Sequence, residues 1–414
     1  MGEQVMRRRG FRARLALTAT QVDALDRQAH AARALWNLLH ELFTLSGDRW
    51  PPRSYVDGEI RWARANVDWL AVLPAQAAQA VLRTYRQAWV NCWEGRAEAP
   101  TYKPRLRTVL AVDIPQGRDL HVARVHRRWG IVNIPKLGRV RFRWTRDLPG
   151  VTKGGPAGRI TGARLIKDAL GWHIVFRTVH EVSVTMCGHE ADSHVGIDRG
   201  IAVPLALSDG DTYAHGPWLD EKEEARLLCA QQHAEYKKQY RKPGRRCSKK
   251  LSSAYDQIRD LRARAKRRVL DWQHKTTSAI AKKYALVSVE GLRITNMVRS
   301  AKGTLETPGV NVARKSGLNR AIAGEAWGRT VELLAYKIDD QGGILISVPA
   351  PGTSLRCSEC GVVTTGSRES QARFVCRNSE CGWTGNADFN ASRNIDQAGL
   401  VLASAAGRAV VRQT

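Results

Sequence analysis

Hydrophobic positions in the first 185 residues follow two different periods. A basic, strand-like run over residues 7–16 precedes Thr18 and Thr20, both suited to capping a helix. Val22, Leu25, Ala29, Ala32, Leu35, Trp36, Leu39 and Leu42 then recur at three- and four-residue intervals, which predicts a helix over 21–45. A break at Trp50 to Pro52 separates it from helical runs over 56–70 and 74–93, with Pro74 fitting a first helical turn. From residue 101 the period falls to two. Short alternating runs at 109–114, 129–134, 139–144, 159–167 and 172–178 are punctuated by Pro149-Gly150 and Gly154-Gly155-Pro156, as in a small antiparallel barrel or sandwich. The first strand has no sheet of its own and is expected to join these, leaving the helices as an insertion and the domain discontinuous.

The second half opens with an apolar run, His194 to Ile197, into Asp198 and a glycine-containing turn. A strand to Leu207, a turn over 208–211 and a third strand are expected next. A long basic helical region over 221–284 breaks at Pro243-Gly244 and carries Arg241, Lys242, Arg245, Arg246, Lys249, Lys250, Arg262, Arg264, Lys266, Arg267 and Arg268. It runs into a second apolar strand that ends on Glu290. Near the end, Cys357-Ser-Glu-Cys360 and Cys376-Arg-Asn-Ser-Glu-Cys381 lead into a helix start at Asp388, and the chain from Gly399 reads as a disordered tail or a short helix end.

Charge narrows the partners. The 414 residues have a formal net charge of +27 and a pI near 10.3. Such an excess implies a polyanionic partner, and nucleic acid fits better than a membrane because no run of eighteen apolar residues accompanies it. Few acids balance the helical Lys and Arg, which favours phosphate contact over a solvated face. Arg139, Arg141, Arg143 and Lys167 are expected to give the strand-rich region one charged face. Trp62, Trp69, Tyr85, Trp89 and Trp93 lie among Arg61, Arg64, Arg83 and Arg86; they either stack on bases or pack a helical core, the commoner role. The N-terminus is basic without an apolar segment behind it, so a cytoplasmic, nucleoid-associated protein is expected. Cys92, Cys187, Cys229 and Cys247 are scattered and read as core or surface thiols.

Two clusters carry chemistry. Four cysteines in two close pairs, fifteen residues apart, suit one tetrahedral structural zinc ion; two disulfides or four ordinary thiols are the competing readings. Asp198, Glu290 and Asp388 stand 92 and 98 residues apart, each at a strand end or helix start. A phosphodiester-cleaving site needs such a set, because carboxylates can hold two divalent ions about 4 Å apart, one activating water and one stabilising the leaving oxygen. Magnesium, a hard cation with oxygen ligands, suits them.

With these residues in view, the chain resembles the TnpB family of transposon-encoded RNA-guided nucleases, related to the type V CRISPR effectors. Gly196-Ile-Asp198-Arg-Gly200 is similar to the family's first RuvC motif, Val289-Glu290-Gly-Leu292 to the second, and Ala387-Asp388-Phe-Asn390-Ala-Ser-Arg-Asn394-Ile395 to the third. Ser354-Leu-Arg-Cys357-Ser-Glu-Cys360-Gly361 resembles the ribbon entrance, and His274-Lys275 the helix before the second motif. Thr20-Gln21, Asn37 and Ile134-Pro-Lys-Leu-Gly138 extend the likeness to the first half. Two departures are small: Ser392 stands where many relatives have alanine, and the second cysteine pair is wider than the common two-residue spacing.

The resemblance implies a mixed fold of α/β, all-β and α parts. Residues 1–20 and 101–185 would form a wedge-type β-barrel, 21–100 a helical recognition lobe, 186–350 and 386–400 an RNase H-like RuvC domain, 351–385 an inserted zinc ribbon and 401–414 a C-terminal tail. It also implies a guide RNA from the element end, double-stranded DNA cut beside a transposon-adjacent motif, one zinc and two magnesium ions, and the element's transposase as a further partner. Asp198 would be shared by both magnesium ions, with Glu290 and Asp388 completing their coordination; water attack would leave a 5′-phosphate and a 3′-hydroxyl. Arg268 and Arg393 are candidates for contact with the cut strand. Two other readings compete: a transposase, against which the acid order Asp, Glu, Asp argues, and a guide-dependent repressor that no longer cuts.

Overall fold

The computed structural model describes residues 3–47, 50–105, 108–184, 193–241, 247–304 and 306–405. Cys187, Lys242, Arg245, Arg246, the break at Pro243-Gly244 and residues 406–414 of the expected tail lie outside them. Two compact units divide the chain, Val5–Val182 and a second made of Met1–Gln4 with Ser183–Thr414.

In the first unit, β1 (Glu3–Ala16) is followed by α1 (Ala19–Leu45), α2 (Arg53–Asn66), α3 (Asp68–Ala71) and α4 (Ala75–Trp93). The strands β2 (Ala111–Ile114), β3 (Ala123–His126), β4 (Trp129–Ile134), β5 (Gly138–Arg143), β6 (Gly158–Asp168) and β7 (Gly171–Val184) come next. All seven strands form one sheet in the order β2-β6-β7-β1-β5-β4-β3, so the four helices lie in sequence between two strands of the same sheet. Thr18 caps α1 through a reciprocal capping box with Gln21. The helix expected over 56–70 is instead two, because Val67 is extended (φ −123°, ψ 104°), and Arg64 takes the carbonyl of Leu73 at 3.1 and 2.9 Å. Pro74 stands ahead of α4, at its cap, and not in its first turn. All four residues of β3 are exposed, so no alternation marks that strand in the sequence.

One hydrophobic core gathers Leu25, Leu35, Phe43, Tyr85, Phe142 and Phe176 from helices and sheet alike. Each such side chain contributes on the order of 1.5–3 kcal/mol by leaving water. Tyr85 is fully buried and Trp89 packs on the same core, whereas Trp62, Trp69 and Trp93 are more than half exposed. The aromatic set therefore divides between core packing and the surface. Arg139, Arg141 and Arg143 alternate with buried Val140 and Phe142 and share the exposed face of β5. Lys167 does not join them, because Asp26 of α1 binds its ammonium at 2.7 Å.

The second unit starts with β8 (His194–Asp198), β9 (Leu205–Leu207) and β10 (Thr212–Tyr213), then α5 (Glu221–Gln239), α6 (Lys249–Lys283) and β11 (Leu286–Glu290). After α7 (Ile294–Met297), α8 (Val312–Glu325) and α9 (Trp327–Asp340) come β12 (Ile344–Val348), β13 (Arg373–Val375), β14 (Thr384–Asn386) and α10 (Ala387–Ala405). The sheet order is β10-β9-β8-β11-β12, with β8, β11 and β12 mutually parallel and β9 antiparallel to β8. β13 and β14 form a separate antiparallel pair.

Period-two alternation gives this sheet two different faces. Val195, Ile197, Val287 and Val289 pack with Ile280, Leu334 and Ile338 of α6 and α9. Gly196 and Ser288, which alternate with them, face α10. A Cβ on Gly196 would stand 2.1 Å from the Ser392 carbonyl, and one on Gly399 would stand 1.7 Å from Ser288 Oγ. Glycine at both points lets the helix lie close to two strands. His194 and Ser208 each hold the Asp396 carboxylate at 3.0 Å. That docking explains why α10 runs through Gly399 to Ala405, with Ala403 fully buried, where the sequence read as a tail or a short helix end.

Candidate active site and four-cysteine centre

Asp198 and Glu290 follow Gly196 and Ser288 by two residues, so both carboxylates leave the sheet on the face that α10 covers. The parallel register pairs Val289 with Ile197, which sets the two acids side by side at neighbouring strand ends. Asp388 stands in the first turn of α10. Asn386 caps that turn, its Oδ1 accepting from the N–H of Asp388 at 2.8 Å and of Phe389 at 3.1 Å. Three acids from distant sequence positions thus face one another.

Their electrostatics differ from those of surface carboxylates. Burial, reinforced by the negative charges of Glu290 and Asp388, pushes the Asp198 carboxyl up to about 7. Burial also raises Asp388, against the pull of the Arg368 guanidinium 3.7 Å away. Arg199 is 6% exposed, and burial lowers its pKa. One of its Nη atoms donates to the Glu290 carbonyl, while its Nε finds no partner among the described residues. The oxygen-only set of the three acids fits a hard divalent cation, which would offset the burial and the repulsion that raise Asp198.

The four cysteines are already gathered. Sγ atoms of Cys357, Cys360, Cys376 and Cys381 all lie within 4.8 Å of one another. Cys357 to Cys381 is 3.8 Å and Cys360 to Cys376 is 3.7 Å. A disulfide needs about 2.05 Å. A tetrahedron with bonds of about 2.3 Å has edges of about 3.8 Å, so the spacing fits zinc. Burial raises the Cys376 thiol to about 12, while the Val362 N–H lowers Cys360 to about 7. A bound cation would favour the thiolate at each. Among the described residues, Cys92 is half-buried and Cys229 and Cys247 are exposed, and none joins this centre.

The two arginines expected near a cut strand are both engaged. Arg268 binds Glu223 and the Trp218 carbonyl, and Arg393 binds Glu359. Several residues escaped the sequence reading. Asn386 had a signal, since an asparagine just ahead of a helix is a frequent cap. Arg368 and Thr353, whose hydroxyl donates to the Glu290 carboxylate, had none, because only folding brings them to the acids.

Comparison with known proteins fits this geometry. Residues 178–301 match the OrfB_IS605 family model, described as a probable transposase, and residues 327–395 match the Cas12f1-like TNB domain. A relative from Escherichia coli (strain K12), named as the RNA-guided DNA endonuclease InsQ, is 33% identical over 341 residues, covering 82% of this chain and 78% of its own. Another, an RNA-guided DNA endonuclease of Streptomyces pristinaespiralis, is 25% identical over 409 residues, 97% of this chain and 91% of the relative. Among solved structures, Cas12f1 in its complex with sgRNA and target DNA superposes with a TM-score of 0.52 at 13% identity, covering 92% of this chain and 83% of that one. At that identity the likeness concerns the fold, and the five-stranded sheet with its acids at strand ends accords with a RuvC-like core. Sharing a third of its residues with InsQ over most of both chains, the protein belongs to the TnpB family of RNA-guided DNA endonucleases.

Proposed function

We propose that the protein is an RNA-guided endonuclease that cuts double-stranded DNA beside a short flanking motif, with Asp198, Glu290 and Asp388 as its catalytic acids. The observation that carries this reading is the convergence of the three carboxylates, with Asp198 held near neutrality by burial and by the other two. Magnesium would be held by these acids and, when bound, supplies Lewis-acid activation of water and stabilisation of the leaving oxygen. The residues themselves do the rest. Arg199 fixes the end of β11 through the Glu290 carbonyl, and Asn386 orients the turn that carries Asp388. The four cysteines would hold one structural zinc.

Within this reading, residues 1–20 and 101–185 act as a wedge-type barrel, 21–100 as a recognition lobe, 186–350 with 386–405 as the nuclease and 351–385 as the ribbon. Sequence choice lies in base pairing between guide and target, while protein cations grip backbone phosphates. The exposed arginines of β5 suit that task, and the exposed Trp62, Trp69 and Trp93 suit stacking on unpaired bases. The test is co-expression with the DNA flanking the gene, sequencing of any bound RNA, and cleavage of a matching plasmid library with magnesium beside Asp198→Ala. A defined RNA, with cutting that needs it, a flanking motif and Asp198, is the expected result. Binding without cutting would identify a repressor, and strand joining without RNA a transposase.

A further inference from the structure

The loop between β12 and Cys357 bonds to Glu290 and to α10. Thr353 is 8% exposed, and its single hydroxyl proton faces two acceptors, the Glu290 carboxylate and the Ala350 carbonyl at 2.9 Å. Its own carbonyl accepts from Asn394 Nδ2 at 2.8 Å, and the same amide donates to the Arg356 carbonyl at 2.7 Å. One helical turn earlier, Asn390 donates to the Arg356 carbonyl at 2.7 Å and accepts from the Ser358 N–H at 2.8 Å. These bonds grip the backbone on both sides of Cys357. Asn390 and Asn394 are buried, so losing either partner would leave polar groups without water to replace it.

We propose that Thr353 is a positioning residue for Glu290 and that Asn394, by holding Thr353 and the Cys357 segment together on α10, couples the four-cysteine centre to the carboxylate site. The inference rests on the nuclease reading above and adds a role for residues outside the triad. A carboxylate rotates freely about its last torsion. A hydroxyl bonded to one oxygen restricts that rotation, and groups that orient a ligand in this way set metal affinity. The same loop that wraps the cysteine centre therefore sets the orientation of Glu290, while α10 carries Asp388 two residues ahead of Asn390.

The experiment measures Mn2+ binding by electron paramagnetic resonance on the full-length chain purified with its zinc, comparing wild type, Asp198→Ala, Thr353→Val, Thr353→Ser and Asn394→Ser. Thr353→Val is expected to weaken the Asp198-dependent Mn2+ site by about 10- to 100-fold. Thr353→Ser restores it, and zinc content and melting temperature stay close to wild type in both. Asn394→Ser weakens Mn2+ in the same direction while zinc remains bound. Wild-type Mn2+ affinity in Thr353→Val, with the site lost in Asp198→Ala, would overturn the coupling and leave the nuclease reading intact. Absence of any Asp198-dependent site in the wild-type chain would overturn both.

Discussion

The four-cysteine centre and the carboxylate site meet at the start of α10, where Ala387 packs with the cysteines and Asp388 faces the other acids, and they are built on opposite principles. At the first, four sulfurs already have tetrahedral spacing, with Cys357 fully buried and Cys376 nearly so. At the second, three carboxylates converge, and Asp198 is raised to about 7 by burial and its neighbours. Thiols are neutral when protonated and tolerate close packing, whereas converging carboxylates repel. A structural centre can hold its geometry in advance, while a reactive one keeps unfavourable charge that a cation must balance. The contacts that hold the acids therefore come from outside them, through Asn386, Arg199 and Thr353.

The largest effect should come from the cysteine side. Cys357→Ser is expected to release zinc, whose binding in small sites is worth about 10–16 kcal/mol, and to unfold the ribbon with loss of all cleavage. Metal analysis, melting and plasmid cleavage measured together check this; a zinc-free variant that still cuts would break the comparison. Next is Asp198→Ala, which removes several kcal/mol of transition-state stabilisation, about 10³-fold in rate, while zinc content stays at one per chain.

Titration sharpens the same contrast. Asp198 has a folded pKa near 7 against 3.8 unfolded, so its charge destabilises the metal-free fold: its contribution to stability is full below about 4, declines as pH rises and is lost by about 7. Asp198→Asn should thus raise the metal-free melting temperature by several degrees at pH 8 and leave it unchanged at pH 4, as scanning calorimetry would read. In the wild type, Mg2+ affinity should rise with pH through neutrality, because protons compete for Asp198. The smallest effect is expected for Asn386→Ala. Losing the cap costs about 1 kcal/mol of stability, with a larger fall in cleavage than in melting temperature because Asp388 lies in the freed turn. Equal loss in both would mean that the cap serves stability alone.

Much of the site was legible. Acids at the ends of apolar runs marked strands that stop where the carboxylates converge, and paired cysteines marked the cluster whose four sulfurs gather, because both signals are local. Strands with clear alternation, such as β4, were readable to the residue, whereas β3 was not, since none of its residues is buried. Residues 294–350 carried no clear reading, yet they supply α8, α9 and the edge strand β12. The end of α10 misled for a related reason: small residues from Gly399 look like a tail until Ser288 is seen packed against them.

By itself, the sequence determined the basic charge, the helix and strand periods, the cysteine pairs and the identity of the three acids, all set by composition or by spacing along the chain. Only the tertiary structure decided that Asp198 and Glu290 share a sheet face with α10, that Arg268 and Lys167 are bound to acids, and that Thr353 meets Glu290. Those facts depend on strand register and helix docking, which join residues tens to hundreds of positions apart, and no local pattern encodes which partners will meet.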